Sequence, residues 1–344
     1  MTDRAPTLEI RTSPHLLSNH EVGTIMWNVV LALLPTTAFA IWAFGLPALL
    51  TLSVAVGSCL LTEWVASRRS EAGPTLGDGS AAITGLLYGL TLPPGLPLWM
   101  VAVGGVVAIG VGKVLFGGLG QNPFNPALLG RAFLQAAFPV AMTSWIAAFG
   151  ADRFSALPAS TLAAPLSRPL YDGLSGATPL AAWKFEGTLH EAGDLAMGFV
   201  GGSTGETSSL LILIGGAYLV ARHMMSWRIP VALLLTVAVA SAGLHALDPA
   251  RHAPPLFMLF SGGLMLGAVF MATDMVASPM TNAGGLLYGA LIGLLVVVIR
   301  AFGGMPEGVM YAILLANAVS PHIDRWIRPT VYGTRGARAA ARGA

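Results

Sequence analysis

The sequence predicts an all-α polytopic membrane protein of about ten transmembrane helices, and three observations carry that expectation. Of the 344 residues, 55% are hydrophobic and only 10% charged, with a mean hydropathy of +0.72. Soluble domains carry about 25% charged residues, so a soluble fold would leave much apolar surface in water. The apolar residues lie in unbroken runs rather than alternating with period two, which disfavours a β-barrel. The 42 glycines suit helices that approach closely through small side chains.

A bilayer core about 30 Å thick takes about 20 apolar residues per helix. Runs of that order cover 23–44, 47–67, 97–116, 127–149, 229–247, 254–272, 285–301 and 308–326. Two shorter runs, 80–92 and 209–222, bring the count to ten. The first of these contains Gly85 and Gly89 and stops at Pro93-Pro94. Short segments interrupted by Gly or Pro are typical of broken helices that line a cofactor or ion site. The expected organisation is therefore a cytoplasmic tail (1–22), a first five-helix repeat (23–149), an extracytoplasmic loop (150–208), a second five-helix repeat (209–326) and a cytoplasmic tail (327–344).

A faint internal echo supports two repeats of five, which would be inverted. Thr84-Gly85-Leu86-Leu87-Tyr88-Gly89 matches Gly284-Gly285-Leu286-Leu287-Tyr288-Gly289, and Phe116-Gly117-Gly118 matches Phe302-Gly303-Gly304, with a gap in the alignment. Chance matching in Gly/Leu-rich sequence is the competing reading. Inverted repeats commonly build a site near the midplane where the halves meet.

Charge sets the expected orientation. With ten helices and a cytoplasmic N-terminus, Arg153, Arg168, Lys184, Arg251 and Arg300 fall outside. The rest of the 18 basic residues, from Arg4 and Arg11 through Arg131 to Arg338 and Arg342, fall inside, as the positive-inside rule requires. The expected location is a bacterial inner membrane with both termini cytoplasmic. The polar first 22 residues read as a tail and not as a cleavable signal. The net charge of +2 gives no reason to expect a nucleic-acid partner; membrane lipid is the expected surround. The single cysteine, Cys59, can neither close an intrachain disulfide nor hold an iron–sulfur cluster alone. Glycine-rich nucleotide loops and His-Glu-x-x-His are missing too.

Three groups of residues carry candidate chemistry. Asp172-Gly173-Leu174-Ser175-Gly176-Ala177-Thr178-Pro179 is a small-residue turn between apolar blocks. It offers Thr178 either as the N-cap of a helix opening at Pro179 or as a hydroxyl that a cofactor phosphate could reach. Trp183 follows about a turn later, as an interfacial anchor or a ring to stack on a cofactor. Gly120-Gln121-Asn122-Pro123-Phe124-Asn125-Pro126 holds two Asn-Pro steps that force extended backbone. Asn122 and Asn125 there either stiffen a turn or offer amides to a ring edge or a cation. Finally, Glu63, Asp78, Asp274 and Asp324 lie near the ends of apolar runs, where carboxylates are either hydrated helix ends or parts of an ion path.

Read together, these motifs resemble the NqrB/RnfD family of membrane subunits. The resemblance rests on Ser13-Pro14-His15, Phe116-Gly117-Gly118, Asn122 to Pro126, Ser175-Gly176-Ala177-Thr178 and Met271-Ala272-Thr273-Asp274. It also draws on Tyr311 to Asn317 and Arg328-Pro329-Thr330-Val331-Tyr332-Gly333. It runs from about residue 10 to 333, and the short N-terminal tail favours the RnfD branch. The resemblance implies covalent FMN joined by a flavin transferase through a phosphoester to Thr178, within a motif that includes Asp172, Ser175 and Gly176. A noncovalent riboflavin is also implied for the family, with Asn122 and Asn125 as its suspected loop.

The implied role is a subunit of an Rnf-type ferredoxin:NAD oxidoreductase. It would pass electrons coupled to Na⁺ or H⁺ movement, assembled with RnfA, RnfB, RnfC, RnfE and RnfG and not catalytic alone. The alternatives are an NqrB-like subunit of a sodium-pumping NADH:quinone oxidoreductase, or a solute channel or transporter.

Overall fold

A computed structural model describes residues 21–68, 76–165, 178–206 and 208–329. Every regular element among them is helical. Helix α1 (Val22–Phe44) turns straight into α2 (Leu46–Ser67) through Gly45. Gly45 sits at φ 70°, where a Cβ would also collide with the Arg153 carbonyl, so only glycine makes this reversal. Short α3 (Ser80–Leu90) and then α4 (Leu98–Gly110) and α5 (Pro126–Ala137) complete the first half. Three short pieces follow: α6 (Pro139–Met142), α7 (Pro179–Ala181) running into a π turn at Ala182–Glu186, and α8 (Ala192–Met197). The second half holds α9 (Ser209–Ala221), α10 (Arg228–Leu247), α11 (Pro255–Phe260), α12 (Leu264–Leu266), α13 (Asn282–Phe302) and α14 (Val309–Trp326).

Five helical stretches are long and apolar enough to cross a membrane: Val22–Phe44, Leu46–Ser67, Leu98–Phe116, Arg228–Leu247 and Asn282–Phe302. Ser80–Leu90 and Ser209–Ala221 are shorter apolar helices. Large apolar side chains point outward along the long ones, among them Trp27, Leu31, Leu61, Val106, Leu235, Val239 and Leu294. The inward faces interleave small residues such as Ala32, Ala40, Ala55 and Gly289 with larger ones such as Leu33, Leu52 and Ile292. In water that arrangement would expose large apolar patches; in lipid it is the expected one. The protein is a multi-pass membrane protein.

Small side chains let the helices touch. α13 lies along α10, and a Cβ on Gly289 would stand 2.5 Å from the Ile229 carbonyl oxygen. α2 packs likewise against both α3 and α4, and α4 against α5. The two halves meet where α1 packs on α9, and where α14 reaches α5.

Two predicted helices are shorter or more broken than their apolar runs. The helix expected over 127–149 stops at Ala137, because Pro139 forces Phe138 out of helical conformation (φ −134°, ψ 59°). The run 254–272 is split at Ser261-Gly262-Gly263 into α11 and α12, with a π turn at Gly267–Met271. Arg300 on α13 fills the gap, donating to the freed carbonyls of Met258 (2.6 Å) and Ser261 (2.9 Å). Irregular backbone at this depth needs such a partner. The motif echo also lands unevenly: its first copy spreads over α3 and the turn after α4, and its second runs along α13 and just past its end.

Candidate functional site

Two cavities meet at the first turn of α5. The first, partly open to solvent, lies between the start of α1, α3, α9 and the segment after the π turn. Asn122, Asn125 and Asp274 all line it, with Lys113 and Ser80. Lys113 is buried and donates to Glu63 at 2.7 Å and to the Ser80 hydroxyl at 2.5 Å, and Ser80 in turn bonds Asp78. Four sequence candidates, Glu63, Asp78, Asn122 and Asp274, from four separate segments are thus tied to this cavity's rim, and Asn125 closes its floor. Asp324 stands apart, accepting from the Met280 N–H at 3.1 Å.

Asn125 fixes the floor. Its side-chain oxygen caps α5 by accepting from Ala127 and Leu128, and its amide donates to the Met271 carbonyl at 3.2 Å. The Asn317 amide is oriented with its oxygen toward the Asn125 N–H (3.0 Å) and its nitrogen toward the Tyr288 hydroxyl (2.5 Å), since the opposite orientation sets acceptor against acceptor. Asp274 accepts from Val276 at 3.0 Å and lies 3.4 Å from the Asn122 amide. Desolvation pushes its pKa up, against the hydrogen bonds from Val276, Asn122 and Ala277.

The second cavity encloses about 1570 Å³, again partly open, and Thr178 is in its wall. Thr178 is the N-cap of α7: its hydroxyl oxygen accepts from the Ala181 N–H at 3.3 Å. Opposite lie Arg131 from α5, Glu206 from the segment before α9 and Glu307 from the segment before α14. Arg131 reaches Glu307 at 2.6 Å and Glu206 at 3.7 Å. Trp145, Tyr311 and Phe185 supply aromatic surface in the same wall.

Arg131 therefore sits inside the protein, and an internal ion pair says nothing about orientation. Lys113 is spent in the same way. Trp183 lines a third cavity, about 1420 Å³, and leans on Phe257 with ring centroids 6.3 Å apart. Beside it Lys184 donates to the carbonyls of Arg300, Gly303 and Met305 at the end of α13, a favourable place for a cation. Asp172, Ser175 and Gly176 lie outside the described residues, as do Ser13-Pro14-His15 and the stretch from Thr330 to Gly333.

Glu206, in the segment before α9, is a strongly perturbed acid. Burial and then the Glu307 carboxylate push its pKa up to about 7 from 4.5, against Arg131 and Ser203. The folded state then holds a proton that the unfolded chain has lost between about pH 4.5 and 7. The stability this confers is complete below that window and lost as pH rises through it. Glu206→Gln escapes the loss, so its melting temperature in detergent is expected to rise relative to wild type between pH 5 and 8. A constant difference across that range would refute the assignment.

Residues 9–333 match the family model described as the NQR2, RnfD, RnfE family. The chain belongs to that family. Among curated relatives, the D subunit of an ion-translocating oxidoreductase complex of Stutzerimonas stutzeri is 45% identical, covering 91% of this chain and 92% of the relative. The D subunit of a proton-translocating ferredoxin:NAD(+) oxidoreductase complex of Clostridium ljungdahlii is 41% identical over 95% and 96%. Its counterpart in a Na(+)-translocating ferredoxin:NAD(+) oxidoreductase complex of Acetobacterium woodii is also 41% identical, over 95% of each.

What sequence reasoning missed in this member of the NQR2, RnfD, RnfE family is the ion cluster facing Thr178. Arg131 and Glu307 are 176 residues apart, and Glu206 sits in a connecting segment with no motif of its own. The available signal was an arginine at an interior position of a spanning run, which is costly unless paired.

Proposed function

We propose that this chain is the membrane subunit of an Rnf-type ferredoxin:NAD oxidoreductase, carrying covalent FMN on Thr178 and passing electrons coupled to ion movement. The names of its relatives motivate the complex, and the assembly with RnfA, RnfB, RnfC, RnfE and RnfG follows from it. The observation that supports the anchor is Thr178 in the wall of a cavity large enough for a ligand. The Thr178 oxygen serves its helix only as an acceptor, and an ester oxygen keeps acceptor capacity, so esterification is compatible with the cap.

Facing it, Arg131 Nε, Glu206 Oε1 and Glu307 Oε1 are buried without hydrogen-bond partners. Such atoms fit a polar, hydrogen-bonding occupant. A flavin bound there would supply one-electron chemistry, while the protein sets its position and electrostatics. Arg131 would place positive charge beside the ring or its chain, and the aromatic wall would hold the ring plane. The first cavity, separated by one turn of α5, is the site we assign to noncovalent riboflavin, with Asn122, Asn125 and Lys113 as its polar contacts. Asp274 on that rim is the candidate for the ion path. Relatives from complexes named for protons and for sodium are equally identical to this chain, so overall identity does not favour either ion.

Thr178→Val keeps the side-chain shape and removes the nucleophilic oxygen. The full chain matured with a flavin transferase should lose all flavin fluorescence from the denatured gel band. Fluorescence persisting in the variant would place the attachment elsewhere.

A further inference from the structure

Three charged side chains line the Thr178 cavity, the buried Arg131 and Glu206 and the partly buried Glu307, and a fourth, buried Arg300, stands behind them on α13. Arg131 Nη2 lies 2.6 Å from Glu307 Oε2, a charge-assisted bond, but 3.7 Å separates Arg131 from Glu206 Oε1. Glu206 is the less compensated of the two acids. It is 8% exposed, its Oε1 accepts no hydrogen bond, and its Oε2 has one long contact, from the Ser203 N–H at 3.4 Å. From α13, Arg300 adds attraction at longer range, but its guanidinium is committed to the carbonyls of Met258 and Ser261. Across from it, Gly263 leaves the space that Glu206 fills: a Cβ there would stand 2.8 Å from Oε1. Two arginines and two glutamates balance only while nothing negative is added.

We infer that Glu206 is the proton acceptor of this cavity: when an electron reaches a flavin anchored at Thr178, the Glu206 carboxylate takes up one proton. The inference rests on the anchor reading proposed above. The electron comes from a one-electron donor, dithionite in the test below, and resides on the ring. The proton comes from water and forms one O–H bond on the carboxylate, and oxidation releases both. No other bond in the protein is made or broken. Burial and the Glu307 charge already bring Glu206 to the edge of protonation near neutral pH, so one further negative charge in the cavity suffices. Glu307 is already bonded to Arg131 at 2.6 Å, so the inference places the new proton on Glu206.

The test is redox difference infrared spectroscopy on the full-length chain, matured with a flavin transferase and reduced with dithionite, in H₂O and D₂O. Denatured-gel fluorescence on the same samples reports whether FMN is attached. Reduction should give a protonated-carboxyl band that shifts in D₂O. That band should vanish in Glu206→Gln, with FMN still attached, and persist in Glu307→Gln. A band unchanged in Glu206→Gln, or lost in Glu307→Gln instead, overturns the inference. Should Glu206→Gln fail to accumulate, Glu206→Asp decides: a displaced band supports the assignment and an identical one defeats it. Wild type without attached FMN defeats the anchor reading, a result distinct from attached FMN with no carboxyl band.

Discussion

Arg131→Met should destabilise the folded protein by about 3–5 kcal/mol, the cost of leaving a buried charge without its partner. Methionine matches much of the arginine's length and apolar stem, so packing loss is small and the effect isolates charge. Without Arg131, Glu206 and Glu307 face each other across the cavity with only Arg300 nearby, itself bound to backbone carbonyls. The protein must then protonate one carboxylate or open the cavity to water. Thermal unfolding in detergent, followed by size-exclusion fluorescence, should show a large drop at pH 8 that shrinks at pH 5. Adding Glu307→Gln to Arg131→Met should recover much of the loss, because one uncompensated charge disappears. If Arg131→Met melts with wild type at both pH values, the cluster is hydrated and carries little energy.

Asn125→Ala should be the second costly change, by a different route. The side chain has two jobs in one place. As N-cap of α5 it accepts from Ala127 and Leu128, a contribution of about 1 kcal/mol. It also donates to the Met271 carbonyl, on the π turn of the opposite half. Losing that donor leaves a buried carbonyl unsatisfied, at about 1–3 kcal/mol. The sum, about 2–4 kcal/mol, should appear in the same unfolding assay. Asn125→Ser separates the jobs: it keeps a cap acceptor and loses the donor to Met271 without burying a charge, so it should fall between wild type and alanine. Equal melting of Asn125→Ser and Asn125→Ala would mean that the cap contributes nothing.

Much of the fold was legible because it depends on local composition. Apolar runs of about 20 residues define spanning helices whatever their neighbours, and α1, α2, α10, α13 and α14 fall within a few residues of their predicted ends. The short run at 80–92 was also readable, from its glycines and the Pro-Pro stop. Less legible were breaks inside apolar sequence. Pro139 ends α5 early, and Gly262 splits α11 from α12, yet hydropathy alone is continuous across both. The candidate site divides along the same line. Thr178, Asn122 and Asn125 carry motifs that single them out in the sequence and line the two cavities; Lys113, Arg131, Glu206 and Glu307 carry none and acquire meaning only when distant helices bring them together. Arg131 is the instructive case: its sequence position marks topology, while in the fold it is an internal counter-ion.

The electron-carrier role turns on the state of one hydroxyl. Intact-mass measurement of the matured full-length chain, followed by peptide mapping, should find FMN less one water on the fragment containing Thr178, and none in Thr178→Val. A wild-type fragment with that hydroxyl unmodified would contradict the role and leave the two cavities as parts of a solute pathway.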